Sequence, residues 1–100
     1  MDKYNILISP AAQSDFLGVL EYLDTLTQEE ALQYYEQFTE EMESLRTEPK
    51  SCPYARDSQL RLRGYRILSI VDYLVFFVIC ASSVEIRRIL YAKRQYDRLA

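Results

Sequence analysis

The sequence predicts an α+β domain of chain order β-α-α-β-β-β, in which a helical hairpin packs on a small antiparallel-rich sheet. Two observations support this prediction. Apolar residues recur at helical spacing through residues 10–45, and beyond about residue 60 the apolar period changes to two. The chain has 100 residues, of which 49% are apolar and 27% charged, a composition that suits one modest core. We therefore expect residues 1–100 to form a single domain.

The chain opens with a β-rich stretch, Tyr4–Ser9, which predicts a short first strand. Ser9 and Pro10 then predict the start of a helix, because Ser is a favoured N-cap and Pro fits the first helical position. The apolar residues that follow have the spacing of one helix face: Phe16, Val19, Leu20 and Leu23. The first helix should therefore bury one side.

The second helix has a clearer start, since Thr27 and Glu30 fit a capping box. Its apolar residues then recur at steps of four and three: Ala31, Tyr35, Phe38, Met42 and Leu45. The rest of the helix is acidic. This narrow apolar stripe favours packing on the first helix and the sheet over docking of a partner.

Three strands should follow a loop over residues 48–58. The first combines alternating and continuous apolar residues: Leu60, Leu62 and Ile67–Val71. Tyr73–Cys80 is an uninterrupted run of β formers, which is typical of a central strand covered on both faces. Val84–Tyr91 predicts the last strand. Short connections make these three strands an antiparallel meander.

Composition excludes several kinds of chemistry. The chain has no His, only two Gly and two Cys, so we expect no His general base, no Gly-rich phosphate loop, no metal site and no cofactor. Two cysteines cannot form a disulfide framework, which favours a reduced, cytoplasmic setting. The longest uncharged run, Tyr73–Val84, has 12 residues, whereas a membrane-spanning helix needs roughly 20.

The net charge of -3 conceals a strong asymmetry. Residues 1–50 carry 3 Lys and Arg against 11 Asp and Glu, or -8, and residues 51–100 carry 9 against 4, or +5. Two interpretations remain open. Either the two halves meet different partners, or the split only follows the division into acidic helices and strands.

A basic and aromatic group of residues in the last forty positions is the candidate site. Its cations are Arg61, Arg63, Arg66, Arg87, Arg88, Lys93, Arg94 and Arg98, and its interleaved rings are Tyr65, Tyr73, Tyr91 and Tyr96. Arg can hold a phosphate and Tyr can stack on unpaired bases, so an RNA site without His is possible chemistry. Each arginine taken singly could instead form a surface ion pair with the acidic helices.

Three blocks of residues cover nearly the whole chain in a characteristic order: Tyr4–Ala12, then Gly64–Leu68 with Asp72–Phe77, then Ile86–Tyr96. They resemble the RelE/ParE toxin family of bacterial type II toxin–antitoxin systems, the plasmid-stabilisation type. The first block is similar to the family's opening strand, Ser-Pro and helix. The second is similar to its Gly-Tyr-Arg strand and the strand that follows. The third resembles its closing strand and basic tail.

The resemblance implies a toxin that is neutralised by a cognate antitoxin. Its first implied activity is that of a ribosome-dependent mRNA endoribonuclease (an mRNA interferase) that arrests translation and growth. In that case the catalytic residues would be Arg66, Arg88 and Tyr91, which match the family's positions. The RNA-binding residues would be Arg61, Arg63, Lys93, Arg94 and Tyr96.

Two alternatives accompany the nuclease hypothesis. A ParE-like toxin would poison DNA gyrase without nuclease chemistry, and an inactive family member would only bind its antitoxin. In each case we expect an antitoxin segment to dock as a helix on apolar surface between the helical hairpin and the sheet. Its acidic residues would then lie over the basic patch. No membrane partner is expected.

Overall fold

The structure, a computed structural model, describes residues 3–92. The elements in chain order are β1 (Asn5–Ile8), α1 (Pro10–Leu23), α2 (Gln28–Ser44), a 3₁₀ turn (Pro49–Ser51), α3 (Ser58–Leu62), β2 (Arg66–Ile70), β3 (Tyr73–Cys80) and β4 (Ser83–Tyr91). The predicted α+β order is confirmed, with the 3₁₀ turn and α3 as additions between α2 and β2. No helix within these 90 described positions is both long and apolar enough to cross a bilayer.

The four strands form one sheet in the order β1-β4-β3-β2. The predicted meander is confirmed, because β2 pairs antiparallel with β3 and β3 pairs antiparallel with β4. β1 joins the sheet in parallel beside β4, with Ile6 opposite Val84. The parallel contact is possible because the two helices carry the chain across the sheet before it returns.

A β-bulge interrupts β4 at Arg87. Phe76 of β3 lies opposite Arg88 and Phe77 lies opposite Ile86, which leaves Arg87 without a cross-strand partner. A bulge shifts the inward alternation by one residue. As a result, Ile86 before the bulge and Ile89 after it both belong to the same core.

The core lies between the sheet and the hairpin of α1 and α2. Val19 of α1 and Phe38 of α2 are buried against Val75 and Phe77 of β3. The stripe predicted for α2 is wrong at one position, because Tyr35 is 44% exposed whereas Tyr34 packs into the core. Both tyrosines fit the helical spacing.

The aromatic neighbours of Tyr34 explain its inward position. Its ring lies 5.6 Å from that of Tyr22 and 6.5 Å from that of Tyr73. These contacts are edge-on, an arrangement in which aromatic pairs attract. Within residues 3–92, Tyr35 forms no ring contact of this kind and is exposed.

Both predicted helix starts are confirmed. The Ser9 hydroxyl accepts a hydrogen bond from the Ala12 amide at 3.1 Å. At α2 the Glu30 amide donates to the Thr27 hydroxyl at 3.2 Å, and the Thr27 amide donates to the Glu30 carboxylate at 3.0 Å. The bond from the Thr27 backbone is the main reason that the pKa of Glu30 is lowered.

The strand predicted to begin at Leu60 is wrong. Residues 58–62 form α3, whose N-cap is Asp57, with its carboxylate accepting from the Leu60 amide at 3.0 Å. Leu62 is 88% exposed, so the alternation of Leu60 and Leu62 does not mark a buried sheet face. Gly64, at φ 83°, ends the turn, and β2 begins only at Arg66. Local capping by Asp57 decides this segment.

Candidate functional site

Arg66 begins β2 and holds a neighbouring stretch of chain against the sheet. Its guanidinium donates to the Cys52 carbonyl at 2.7 Å and to the Lys50 carbonyl at 3.2 Å. The same group lies 4.0 Å from the centre of the Tyr54 ring, within the range of a cation–π contact. Arg66 therefore binds the chain's own backbone and an aromatic face.

The stretch that Arg66 holds is named here the edge segment, residues 50–55. The Ile67 amide donates to the Pro53 carbonyl at 3.0 Å, and the Ala55 amide donates to the Tyr65 carbonyl at 2.8 Å. Tyr54 and Arg66 form an isolated antiparallel bridge. The edge segment thus covers the outer edge of β2, which would otherwise expose unpaired backbone groups.

Arg88 is bound by a carboxylate that sequence analysis did not identify. Its Nε donates to Asp15 Oδ2 at 2.7 Å and its Nη2 donates to Asp15 Oδ1 at 3.1 Å. Asp15 Oδ2 also accepts from the Ile89 amide at 2.9 Å. The hydrogen bond to Asp15 is the main reason that the pKa of Arg88 is raised. This pair confirms, for Arg88, the ion-pair alternative considered from the sequence.

One sequence signal could have identified Asp15. It is the only charged residue between positions 4 and 20, and most of its neighbours there are small or apolar. A lone carboxylate in such a stretch indicates a specific partner. In the structure Asp15 accepts hydrogen bonds from residues 88 and 89 of β4, which lie beyond the residues that pair with β1.

Tyr91 ends β4 and packs at the core rather than standing free. Its ring lies 5.6 Å from the buried ring of Tyr73, in a cluster that also includes Tyr22 and Tyr34. The Tyr34 hydroxyl is buried and has no hydrogen-bond partner among residues 3–92. Burial raises the pKa of Tyr34 to about 12, opposed by the backbone of Asp72 and assisted by its charge.

The three residues proposed as catalytic do not meet. Arg66 lies opposite Phe77 of β3 and Tyr91 lies opposite Tyr73, on the two strands that flank β3. Strand geometry puts about 13 Å along β3 and about 10 Å across it between their Cα atoms, or about 16 Å in all. Arg88 pairs with Phe76, and its guanidinium is held by Asp15 of α1.

The residues proposed to bind RNA fall into two groups. Arg61 and Arg63 lie on α3 and its C-cap, exposed to solvent. Within residues 3–92 neither forms an ion pair, since the three pairs found there use Arg46, Arg87 and Arg88. The second group, Lys93, Arg94 and Tyr96, lies outside the described residues. The same 3–92 range holds no group of three or more Cys, Asp or Glu side chains suited to a metal ion.

The face of the sheet turned away from α1 and α2 contains an open groove of about 1080 Å³. Its floor is apolar and comes from β2 and β3, with Ile67, Leu74 and Phe76. Its wall is formed by the edge segment and by Leu60 of α3. We name it the sheet groove. The opposite face, between hairpin and sheet, where we expected open apolar surface, is filled by the core.

A family model described as the ParE toxin of the type II toxin–antitoxin system, parDE, matches residues 6–96. The chain belongs to the ParE toxin family. It is therefore the toxin of a type II toxin–antitoxin system, and its partner is a cognate antitoxin. The resemblance identified from the three sequence blocks is confirmed.

A solved structure agrees with the family's fold. The structure described as the chromosomal ParDE TA system from P. aeruginosa superposes on this toxin with a TM-score of 0.70. It is 16% identical in sequence, and the alignment covers 90% of this chain and 97% of that one. At this identity the likeness concerns the fold alone. A search of curated proteins gives no match.

Proposed function

We propose that this ParE-family toxin poisons DNA gyrase by binding it, without breaking a bond itself, and that its cognate antitoxin neutralises it. The observation that supports this choice is the set of contacts made by the two arginines that match positions in the family's motifs. Arg66 is bound to backbone carbonyls and Tyr54, and Arg88 is bound to Asp15. Both guanidinium groups stabilise the fold in the free chain.

The nuclease hypothesis requires the proposed catalytic residues to converge on one reacting group. Cleavage of RNA requires an acid or base and a phosphate clamp held within about 3 Å of the reacting atoms. Arg66 and Tyr91 are about 16 Å apart by strand geometry, and the Arg88 guanidinium is bound to Asp15. A binding toxin needs a shaped surface but no such convergence, so the arrangement favours a target that is bound rather than cut.

The decisive experiment compares both targets directly. Toxin released from its antitoxin is added to purified gyrase with supercoiled plasmid and ATP, and separately to translating ribosomes with a defined mRNA. We expect protein-linked, cleaved DNA in the first reaction and intact mRNA by primer extension in the second. Addition of the antitoxin should abolish the gyrase effect. Codon-spaced cuts in ribosome-bound mRNA, with gyrase unaffected, would overturn the proposal in favour of the endoribonuclease.

A matched pair of variants separates chemistry from binding. Tyr91→Phe removes the hydroxyl proposed as acid or base but keeps the ring that packs on Tyr73. If the toxin only binds, this variant should retain its effect on gyrase within about twofold, whereas loss of an acid–base catalyst costs about 100-fold or more. Tyr35→Phe, on the exposed side of α2, is the control. A folded toxin without effect on either target would instead indicate a member that only binds its antitoxin.

A further inference from the structure

Three leucines are exposed on the helical hairpin. Leu17 and Leu20 of α1 are 60% and 37% exposed, and Leu32 of α2 is 57% exposed. A carboxylate follows each leucine four residues later, on the same side of its helix. These carboxylates are exposed and form no ion pair within residues 3–92. We name the leucines and their carboxylates the hairpin patch: Leu17, Leu20, Leu32, Glu21, Asp24 and Glu36.

The antiparallel register of the hairpin brings the three leucines to a similar level. Ring contacts join Phe16 to Phe38 at 5.7 Å and Tyr22 to Tyr34 at 5.6 Å. In this register Leu32 lies level with the last residue of α1. The leucines therefore extend over about 9 Å along the helix axes, which corresponds to about six residues of helix.

The leucines also lie on the flanks by which α1 and α2 adjoin. Asp15, on the opposite flank of α1, accepts from the Ile89 amide beyond the residues of β4 that pair with β1. On α2 the corresponding residue is Glu41. Burial raises the pKa of the Cys52 thiol in the edge segment, and the Glu41 carboxylate acts in the same direction. Because Asp15 and Glu41 face the two outer edges of the sheet, the leucines, about 140–180° around each helix from them, face the space between the helices.

The surroundings of the hairpin patch carry one sign of charge. From Pro10 to Ser44 the chain has nine carboxylates, two Asp and seven Glu, and no Lys or Arg. Exposed apolar side chains in such a surface favour a partner that combines apolar residues with cations. A basic amphipathic helix meets both needs, because its side chains recur at the one-turn spacing of the patch itself.

Charge also decides between the possible occupants. A second copy of the hairpin would set carboxylates against carboxylates, and DNA or RNA carries the same sign as the patch. Residues 93–100 of the same chain are basic, and crosslinking distinguishes them from a separate protein. Gyrase is an enzyme that holds DNA, and affinity for DNA comes largely from Lys and Arg contacts to phosphate. It is therefore a partner that must display cationic surface.

We propose that the hairpin patch binds a basic amphipathic helix of gyrase, with apolar side chains against the three leucines and cations facing the three carboxylates. This inference rests on the proposed function and names the surface through which the toxin reaches its target. It gives the acidic half of the chain a partner of opposite charge.

Removal of two leucines tests the apolar part of the patch. Leu17→Ala combined with Leu32→Ala should raise the toxin concentration for half-maximal DNA cleavage by gyrase about tenfold or more, as expected for side chains central to an interface. Leu62→Ala, which removes an 88% exposed leucine from α3, is the control and should stay within about twofold. Neither change should alter the far-ultraviolet circular dichroism or the affinity for purified antitoxin.

The outcomes separate this inference from the proposed function. Undiminished poisoning by the double leucine variant would contradict the hairpin patch alone. An equal loss of antitoxin affinity would assign the patch to the antitoxin and also overturn the inference. Wild-type toxin without any effect on gyrase would contradict the proposed function, and this inference with it.

A matched pair of charge changes tests the acidic part. Glu36→Gln, in the patch, should weaken binding to immobilised gyrase about threefold at low salt, a size typical of one exposed ion pair. Glu41→Gln, on the opposite flank of α2, removes the same charge and should have a clearly smaller effect. Equal effects of the two changes would contradict a specific role for the carboxylates of the patch.

Photo-crosslinking identifies the occupant directly. A benzoylphenylalanine replaces Leu32 or, as the control, Leu62, and the toxin is irradiated with purified gyrase. We expect an adduct to a Lys- and Arg-containing helix of gyrase from position 32 and little or none from position 62. Toxin–toxin adducts or intramolecular adducts to residues 93–100 from position 32, in place of the gyrase adduct, would overturn the proposal.

Discussion

At the scale of single residues, Asp15 shows how one carboxylate can join two elements. It is largely buried, receives both nitrogens of Arg88 and also satisfies the Ile89 amide. The position lies on α1 and the partners lie on β4, more than 70 residues later. Removal of Asp15 leaves an inward amide and a guanidinium without their acceptor, which is costlier than the loss of an exposed ion pair.

We therefore expect Asp15→Ala to lower the free energy of unfolding by about 2 kcal/mol, because an amide and a charged donor both lose their acceptor. The exposed pair of Glu43 and Arg46 provides the control, since Glu43→Ala should cost less than about 0.5 kcal/mol. Urea unfolding followed by circular dichroism measures both. Equal losses in the two variants would show that Asp15 acts only as a surface charge.

Tyr34 provides a prediction about alkaline pH. Burial raises its folded-state pKa to about 12 from an ordinary value of 10, so the unfolded chain releases this proton first. The contribution of Tyr34 to stability is therefore unchanged below pH 10 and is lost as the pH rises from 10 to 12. Tyr34→Phe should show a smaller fall of stability across that window.

Chemical unfolding at pH 9 and pH 11.5 measures the difference. Other groups titrate in the same window, so the comparison with wild type is what isolates Tyr34. Tyr35→Phe removes an exposed hydroxyl from the next residue and should keep the full alkaline loss. A Tyr34→Phe variant as sensitive as wild type would contradict a buried hydroxyl.

At the scale of elements, the edge segment is a strand-like cover that depends on one side chain. Arg66 contacts Lys50, Cys52 and Tyr54, whereas two backbone hydrogen bonds alone would hold a segment of this length weakly. Cys52 reports on it directly, because it is buried while Cys80 is exposed. Burial is also the main reason that the pKa of the Cys52 thiol is raised.

We expect Arg66→Ala to increase the rate at which a thiol reagent labels Cys52 by about tenfold or more, since opening of the edge segment then costs about 1.4 kcal/mol less. The measurement uses a Cys80→Ser background so that only Cys52 reacts. Arg63→Ala, which removes an exposed cation three residues earlier, should leave the rate unchanged. Equal labelling rates of Cys52 in the two variants would contradict the role of Arg66 in holding the edge segment.

The two hairpin turns carry backbone strain. Val71 between β2 and β3 and Ala81 between β3 and β4 adopt φ values of 52° and 53°. The left-handed region disfavours residues with a Cβ, and β-branched Val most of all. Val71→Gly should therefore stabilise the protein by about 0.5–1 kcal/mol, after the entropy cost of Gly is subtracted.

A substitution of opposite sign is the control for the turn. Ala11→Gly, at an exposed position in α1, should destabilise by about 1 kcal/mol because the backbone there is helical. Thermal unfolding of the two variants measures both changes. A loss of stability in both would show that Val71 contributes packing that outweighs its strain.

At the scale of the whole molecule, one core links both helices to all four strands. The chain has no Trp, but the rings of Tyr22, Tyr34, Tyr73 and Tyr91 meet where helices and sheet join. Near-ultraviolet circular dichroism therefore reports on tertiary contact, while the far ultraviolet reports on helices and strands. A shared core predicts that both signals change together.

We accordingly expect the two urea midpoints to agree within error. The groove side of the sheet, covered only by the edge segment and α3, is the part that could separate from this transition. Cys52 labelling at low urea, measured on the Cys80→Ser protein, tests that point. Two resolved transitions in the circular dichroism signals would contradict a single cooperative unit.

The charge asymmetry found in the sequence can be assigned to elements of the fold. The acidic residues concentrate on α2, whereas Arg56, Arg61 and Arg63, which form no ion pair within residues 3–92, lie between α2 and β2. The charge split therefore follows the elements of the fold. That the two halves meet different partners stays a prediction.

The sequence by itself determined the order of the main elements, both helix starts, the meander and the family. These depend on local rules: the period of apolar residues, the capping hydrogen bonds of Ser9 and Thr27, and short connections. It failed at residues 60–62, where a five-residue alternation fits a strand or a turn of helix equally well until Asp57 caps it.

Only the tertiary structure decided which arginines are free. Arg66, Arg88, Arg61 and Arg63 are equivalent in composition, but contacts from distant segments separate them. Cys52 and Tyr54 contact Arg66, and Asp15 binds Arg88, whereas Arg61 and Arg63 remain exposed. Long-range partners depend on strand register, on the bulge at Arg87 and on where α1 lies, none of which a local pattern contains. The assignment of each arginine therefore follows from packing and not from spacing.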